Sequence, residues 1–141
     1  MKKNVTILGA GESGIGAAML ASKKGYNVFV SDHNYIDDNI KLLFEDNSIQ
    51  YEENDHSIDK IKSSDLIIKS PGIPNSSEII IQIKSLEIPI ISEIEFASNN
   101  SNSFKICITG TNGKTTTTNL IYNILKAAGL SVGIAGNVGD S

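Results

Sequence analysis

Twice in this chain a short β-prone run ends in a glycine-rich turn that opens a helix. Val5 to Leu8 stops at Gly9-Ala10-Gly11, and Phe104 to Thr109 stops at Gly110-Thr111-Asn112-Gly113. The pattern between them keeps the same alternation. A helix with Ile15, Ala18, Met19 and Ser22 on one face ends at Gly25, and a second strand runs from Asn27 to Ser31. Ile36 to Phe44 reads as a helix, Ser48 to Glu52 as a weak strand, and Ile58 to Ile61 as a short helix. Asp65 to Ser70 is a buried strand closed by Pro71-Gly72-Ile73-Pro74. Ser76 or Ser77 caps a helix through Leu86, with Glu78 at its positive end, and Ile88 to Ser92 is another strand. Strand alternating with helix calls for a parallel sheet covered on both faces, so the fold class is α/β.

Residues 98–103, Ser-Asn-Asn-Ser-Asn-Ser, bury no apolar surface and read as a linker. The expected organisation is therefore a Rossmann-like domain at 1–97, the linker, and the truncated start of a P-loop ATPase domain at 104–141. That last stretch would hold a strand at 104–109, a helix through Ala128 with Leu120, Ile121, Ile124 and Leu125 facing inward, and a strand at 130–135. One helix and two strands cannot complete a P-loop domain, so the chain is expected to be a fragment.

Each glycine turn carries a chemistry. Gly9-x-Gly11-x-x-Gly14 lies between a strand and a helix, as the dinucleotide fingerprint requires, and Asp32 follows Gly11 by 21 residues at the end of the second strand. There a carboxylate can accept a ribose hydroxyl, while the turn offers its amides to a pyrophosphate. Taken alone this pattern says NAD, although any pyrophosphate ligand suits it, and a tight turn without a ligand is the bland alternative. In the second turn Gly113 admits phosphates to the backbone, Lys114 places a positive charge on the β/γ-phosphates, and the Thr115 hydroxyl can ligate Mg²⁺. The general P-loop pattern would place glycine at 108, where this chain has Ile108. An ordinary glycine turn with a surface lysine is the alternative here.

The shortened loop Gly110-Thr111-Asn112-Gly113-Lys114-Thr115-Thr116 resembles that of the Mur ligases and their folylpolyglutamate synthetase relatives, which form amide bonds using ATP. Those ligases carry a Rossmann-like domain for a UDP-sugar followed by an ATPase domain, the order seen here. Ser70-Pro71-Gly72-Ile73 and Gly136-Asn137-Val138-Gly139 resemble segments of the D-glutamate-adding ligases. The resemblance implies ATP on residues 110–116, with Lys114 catalytic and Thr115 on Mg²⁺. It implies UDP-N-acetylmuramoyl-L-alanine on Gly11, Glu12, Ser13, Gly14, Asp32, Gly72 and Asn137, and D-glutamate as the amine substrate. Where some relatives place a basic residue near the uracil, this chain has His33 and Asn34; an ordinary loop histidine is the other reading of His33. Another Mur ligase member, an NAD-binding module fused to a P-loop ATPase, and a non-catalytic UDP-sugar-binding protein remain alternatives.

Bulk properties narrow the classes further. The net charge is −4, all twelve basic residues are lysines, and no basic stripe suggests nucleic acid. The single cysteine, Cys107, excludes an intramolecular disulfide and reads as a small buried hydrophobe in an apolar strand. The apolar run after the N-terminal lysines ends at a glycine turn, and no stretch approaches the length of a membrane span. A cytoplasmic monomer is the expectation. His56 lies in a polar loop without an assigned role, and Glu93 and Glu95 read as a solvated helix face before the linker.

Overall fold

The fold was obtained as a computed structural model, which describes residues 2–136 in two compact units, Met1–Asn102 and Ser103–Ser141. The first unit is a five-stranded sheet with helices on both faces. Its strands are β1 (Asn4–Leu8), β2 (Asn27–Ser31), β3 (Gln50–Glu52), β4 (Leu66–Lys69) and β5 (Ile90–Ser92). The helices are α1 (Glu12–Lys23), α2 (Asp38–Asp46), α3 (Ile58–Ile61), α4 (Glu78–Lys84) and α5 (Glu93–Asn99). All strand pairs are parallel, in the order β3-β2-β1-β4-β5.

Period-two alternation on the central strands sorts the core into two layers. Val5, Ile7, Val28, Val30 and Ile68 join Ala17, Ala18 and Ala21 of α1, Phe44 of α2 and Phe96 of α5. Their neighbours Leu8 and Ile67 point the other way, onto Ile61 of α3 and Ile80 and Ile83 of α4. Three alanines on the inward face of α1 let that helix lie close to the sheet. Thr6 is the polar exception inside β1, and its hydroxyl bonds the Ser64 hydroxyl at 2.6 Å. Tyr26 meets Phe96 edge to face, with ring centroids 6.0 Å apart, which pins α5 beside the end of α1.

The strand order places a topological switch point between β1 and β4. The chain winds outward from β1 through β2 to β3, then returns to β4 on the other side of β1. Ligands of open α/β sheets bind outside the carboxyl ends of the strands at such a point. The turn at Gly9 and the loop at Ser70 both leave the sheet there.

Several elements depart from the sequence expectation. Helix α2 begins at Asp38, because the Asp37 carboxylate caps it by accepting the Asn39 N–H at 2.9 Å. The Ile36 N–H meanwhile donates to Glu53 at 2.8 Å, and its side chain is buried ahead of the helix. Ser98 and Asn99 belong to α5, so the polar run expected as linker from 98 starts inside a helix. Glu93 is not on a solvated face: it is buried at the start of α5.

The second unit contains one helix among its described residues, α6 (Lys114–Ala127). The segments expected as strands, 104–109 and 130–135, form no ladder among the described residues. A strand exists only through a hydrogen-bonded neighbour, and none is supplied here. The expected inward face of α6 lacks its cover for the same reason: Leu120 and Ile124 stand 59% and 58% exposed. Cys107, expected to be buried, is exposed.

Candidate functional site

The three glycines after β1 have distinct physical reasons to be glycine. Gly9 adopts φ +101°, and a Cβ there would lie 2.9 Å from the Ser70 Cβ of the β4 loop. A Cβ on Gly14 would lie 2.0 Å from the Gly9 carbonyl oxygen, so the first turn of α1 can rest on the preceding loop only without a side chain. Gly11 differs from both. Its φ is an ordinary −71°, and a Cβ there would meet nothing within 4 Å. The chain's own packing does not require that glycine; a ligand approaching the backbone would.

The surroundings of the turn are bonded in place. The Gly9 N–H donates to the Ser31 carbonyl at 2.9 Å, and the Ser70 N–H donates to the Leu8 carbonyl at 3.0 Å. The Lys69 ammonium donates to the Ile73 carbonyl at 2.7 Å and the Ser70 carbonyl at 3.1 Å, which folds the Pro71-Gly72 loop back over the end of β4. Gly72 is exposed in that loop, and a Cβ there would meet nothing within 4 Å. Helix α1 has no side-chain cap, and its first intrahelical bond runs from the Ile15 N–H to the Gly11 carbonyl. The N–H groups of Glu12, Ser13 and Gly14 therefore have no partner inside the helix, and such a helix end favours an anion.

Two acids hold this turn from either side. Asp32 accepts the Ala10 N–H at 2.6 Å and the Asn34 N–H at 2.7 Å, so its carboxylate fixes the glycine turn as well as its own loop. A carboxylate has further lone pairs, which leaves acceptor capacity for a ligand hydroxyl. On the other side the Ser13 hydroxyl donates to buried Glu93 at 3.1 Å. Periodicity along α5 gave no hint of this contact. Glu93 directly follows Ser92 at the carboxyl end of β5, and that position was the available signal.

Beside Asp32 lies a second cluster. His33 is exposed, and its ring stacks on that of His56 with centroids 6.0 Å apart. His56 Nδ1 lies 2.7 Å from the Ser31 hydroxyl, which donates to Glu52 at 2.8 Å. Glu52 also accepts the Ser57 N–H at 2.7 Å and pairs with Lys60 at 3.1 Å. Burial opposes the charge on Glu52, but hydrogen bonds from Ser57, Ser31 and Lys60 outweigh it and hold its carboxyl below the ordinary value. Burial, and then the nearby His33, push His56 below the ordinary imidazole value. No spacing in the sequence connects His56 to Asp32; the β2–β3 pairing brings them together.

The turn of the second unit has its own geometry. Gly110 at φ +147° and Gly113 at φ +75° bend the loop, with Gly113 left-handed immediately before α6. The Lys114 ammonium folds back to bond the Gly110 carbonyl and lies 3.5 Å from the Thr111 carbonyl. Thr111, Asn112, Thr115 and Thr116 are exposed around it. A lysine held over its own loop, with hydroxyls in the first helical turn, provides a cation and hard oxygen donors at one helix end. Among the described residues no group of three His, Cys, Asp or Glu is placed to hold a metal ion. Asn137 lies outside the described residues.

Known proteins match both turns. Residues 4–79 fit the sequence model of the MurD N-terminal domain, and residues 108–141 fit that of the Mur ligase middle domain. A UDP-N-acetylmuramoylalanine–D-glutamate ligase of Bacteroides fragilis is 53% identical over 99% of this chain, which spans 31% of that protein. The ligase of the same name from Porphyromonas gingivalis is 52% identical over 100% of the chain and is likewise spanned over 31% of its length. Among solved structures, a murein peptide ligase from Psychrobacter arcticus superposes with a TM-score of 0.65 at 27% identity, over 90% of this chain and 27% of that one. A pseudomurein peptide ligase type C from Methanothermus fervidus gives 0.59 at 31% identity, over 91% and 27%. The chain spans about a third of the length of the curated relatives it matches. With more than half of its residues inside the MurD N-terminal domain, it belongs to the Mur ligase family.

Proposed function

We propose that this chain is the nucleotide-handling part of an ATP-dependent ligase that joins D-glutamate to UDP-N-acetylmuramoyl-L-alanine during peptidoglycan precursor synthesis in the cytoplasm, acting as a monomer. The observation that carries the reading is Gly11: its backbone is open where the fold makes no use of a glycine, at the switch point of the sheet. Relatives at about half identity bear the name of that reaction. Residues 1–97 would hold the UDP-sugar and residues 104–141 would open the ATP-binding domain, joined through the polar run at 98–103.

In this reading the amides of residues 11–14 take the pyrophosphate, Asp32 accepts a ribose hydroxyl, and His33 and Gly72 border the uridine. Glu12 and Ser13 line the same helix end, and Asn137 contacts the muramoyl end. Gly110, Thr111, Asn112 and Gly113 wrap the ATP phosphates, and Thr116 stands beside them. Mg²⁺, when bound, neutralises phosphate charge; the exposed Thr115 hydroxyl is the hard oxygen this chain offers it. The substrate carboxylate attacks the γ-phosphorus as the bond to ADP breaks, giving an acyl phosphate. The amine then displaces phosphate and loses a proton to yield the amide. Lys114 would leave the Gly110 carbonyl and carry its charge to the phosphoryl group in flight.

Two measurements test this. Calorimetric titration with UDP-N-acetylmuramoyl-L-alanine should give saturable heat and titration with NAD none; the reverse would make the first unit an NAD domain. Lys114→Ala in the full-length protein should lower turnover about 100-fold or more, and near-normal turnover would remove Lys114 from the mechanism.

A further inference from the structure

The cluster beside Asp32 carries information that neither the glycine turns nor the family match uses. Ser31 is fully buried and has one hydroxyl proton. The oxygens it can donate to, Glu52 Oε1 at 2.8 Å and the Asp55 carbonyl at 3.4 Å, only accept. The proton therefore points away from the imidazole. The 2.7 Å contact between Ser31 and His56 Nδ1 then requires the hydrogen to sit on Nδ1 and donate to the serine oxygen. An ionised Glu52 thus sets the tautomer of His56 through Ser31. With Nδ1 carrying the hydrogen, neutral His56 keeps a bare lone pair on Nε2.

That lone pair has no partner among the described residues. His56 is half-buried, and its Nε2 makes no hydrogen bond among the described residues. No side-chain nitrogen or oxygen among those residues is sealed from solvent without a partner, so Nε2 keeps contact with solvent. Stacking on His33 and the proximity of Asp32 place it at the carboxyl ends of β2 and β3, beside the carboxylate that anchors the glycine turn.

We propose that His56 Nε2 accepts a hydrogen bond from the uridine part of the nucleotide ligand, with Glu52 and Ser31 as positioning residues that keep it an acceptor. This rests on the UDP-sugar reading of the site. The donor is either the imide N–H of uracil or a ribose hydroxyl. Protonation would turn Nε2 from an acceptor into a donor, so nucleotide affinity falls in mild acid. The charged and titratable groups facing His56 are His33, which opposes its protonation, and Asp32, Glu52 and Asp55, which favour it. Burial adds to His33 and tips the balance towards the neutral ring at neutral pH.

Two substitutions separate the two ends of the ring. The Asn side chain reaches the position of Nδ1, so His56→Asn retains the bond to Ser31 and loses the outward acceptor. The Gln side chain reaches the position of Nε2, so His56→Gln retains the acceptor and loses the bond to Ser31. The probe is UDP, titrated calorimetrically into the full-length protein at about pH 8 and about pH 5.5. We expect His56→Asn to melt near the parent yet bind UDP about tenfold more weakly at the higher pH. His56→Gln should bind within about threefold of the parent at the higher pH and weaken less than the parent in acid. CDP lacks the imide N–H and 2′-deoxy-UDP lacks one hydroxyl; whichever is insensitive to His56→Asn names the donor. The reverse order, with Gln weak and Asn at parent affinity, would make His56 structural only and overturn the proposal. An acid weakening as large in His56→Gln as in the parent would also overturn it. A parent that binds no UDP would instead sink the UDP-sugar reading, and this inference with it.

Discussion

Gly11 and Gly14 sit three residues apart in one turn and should respond oppositely to the same methyl group. At Gly14 the added Cβ would lie 2.0 Å from the Gly9 carbonyl oxygen, a backbone atom that cannot swing aside. Gly14→Ala must push α1 away from β1, at about 2–4 kcal/mol of stability, read from the urea midpoint. At Gly11 the Cβ meets open space at an ordinary φ, so Gly11→Ala should move the midpoint by less than about 0.5 kcal/mol. Its cost should appear in UDP-sugar affinity alone. Equal destabilisation by both substitutions would show that Gly11 is also a packing glycine. The glycines and Asp32 were legible because each is a local requirement with a fixed offset. Glu93 and His56 were not, since each meets its partner, Ser13 or Ser31, across 80 or 25 residues of chain.

Elements were legible where a sequence signal and a packing need coincide. Asn27–Ser31 and Ile58–Ile61 form as the pattern says. The start of α2 was misplaced because Ile36 continues the helical stripe while its backbone serves another element. Asp37 supplies the true boundary, and Asp37→Ala should cost about 1 kcal/mol by leaving the Asn39 N–H uncapped. An unchanged urea midpoint would mean that the bond from Ile36 to Glu53 and the ion pair from Lys41 to Glu53 at 3.0 Å hold the helix start without the cap. The strands expected at 104–109 and 130–135 failed for the opposite reason. Their apolar character is real, with Phe104 92% exposed, but periodicity states only that a face wants burial. It does not say which strands provide it.

At the scale of the molecule, acid sensitivity should belong to one unit. Both histidines and fifteen of the sixteen acidic residues lie in Met1–Asn102, and the two groups of the His56 cluster with shifted titration push stability in the same direction. His56 titrates below its ordinary 6.5 in the folded unit, so between the two values the unfolded chain binds more protons. Stability therefore rises with pH across that window: it is fully present above about 6.5 and is lost as pH falls through the folded value. Glu52 titrates below its ordinary 4.5, so its contribution is present above 4.5 and is lost as pH falls through its own folded value. The ordinary imidazole value lies above the ordinary carboxyl value, so the loss from His56 begins at the higher pH. Once cationic, the ring has no remaining lone pair at Nδ1 and still donates to Ser31, so the network holds until Glu52 protonates and gives up its ion pair with Lys60. Urea midpoints of the first unit should accordingly decline in two steps as pH falls. His56→Gln should erase the first step and leave the second. A single step near the ordinary carboxyl range in both proteins would show that the imidazole is not desolvated by the fold, and would detach His56 from the Glu52–Ser31 network.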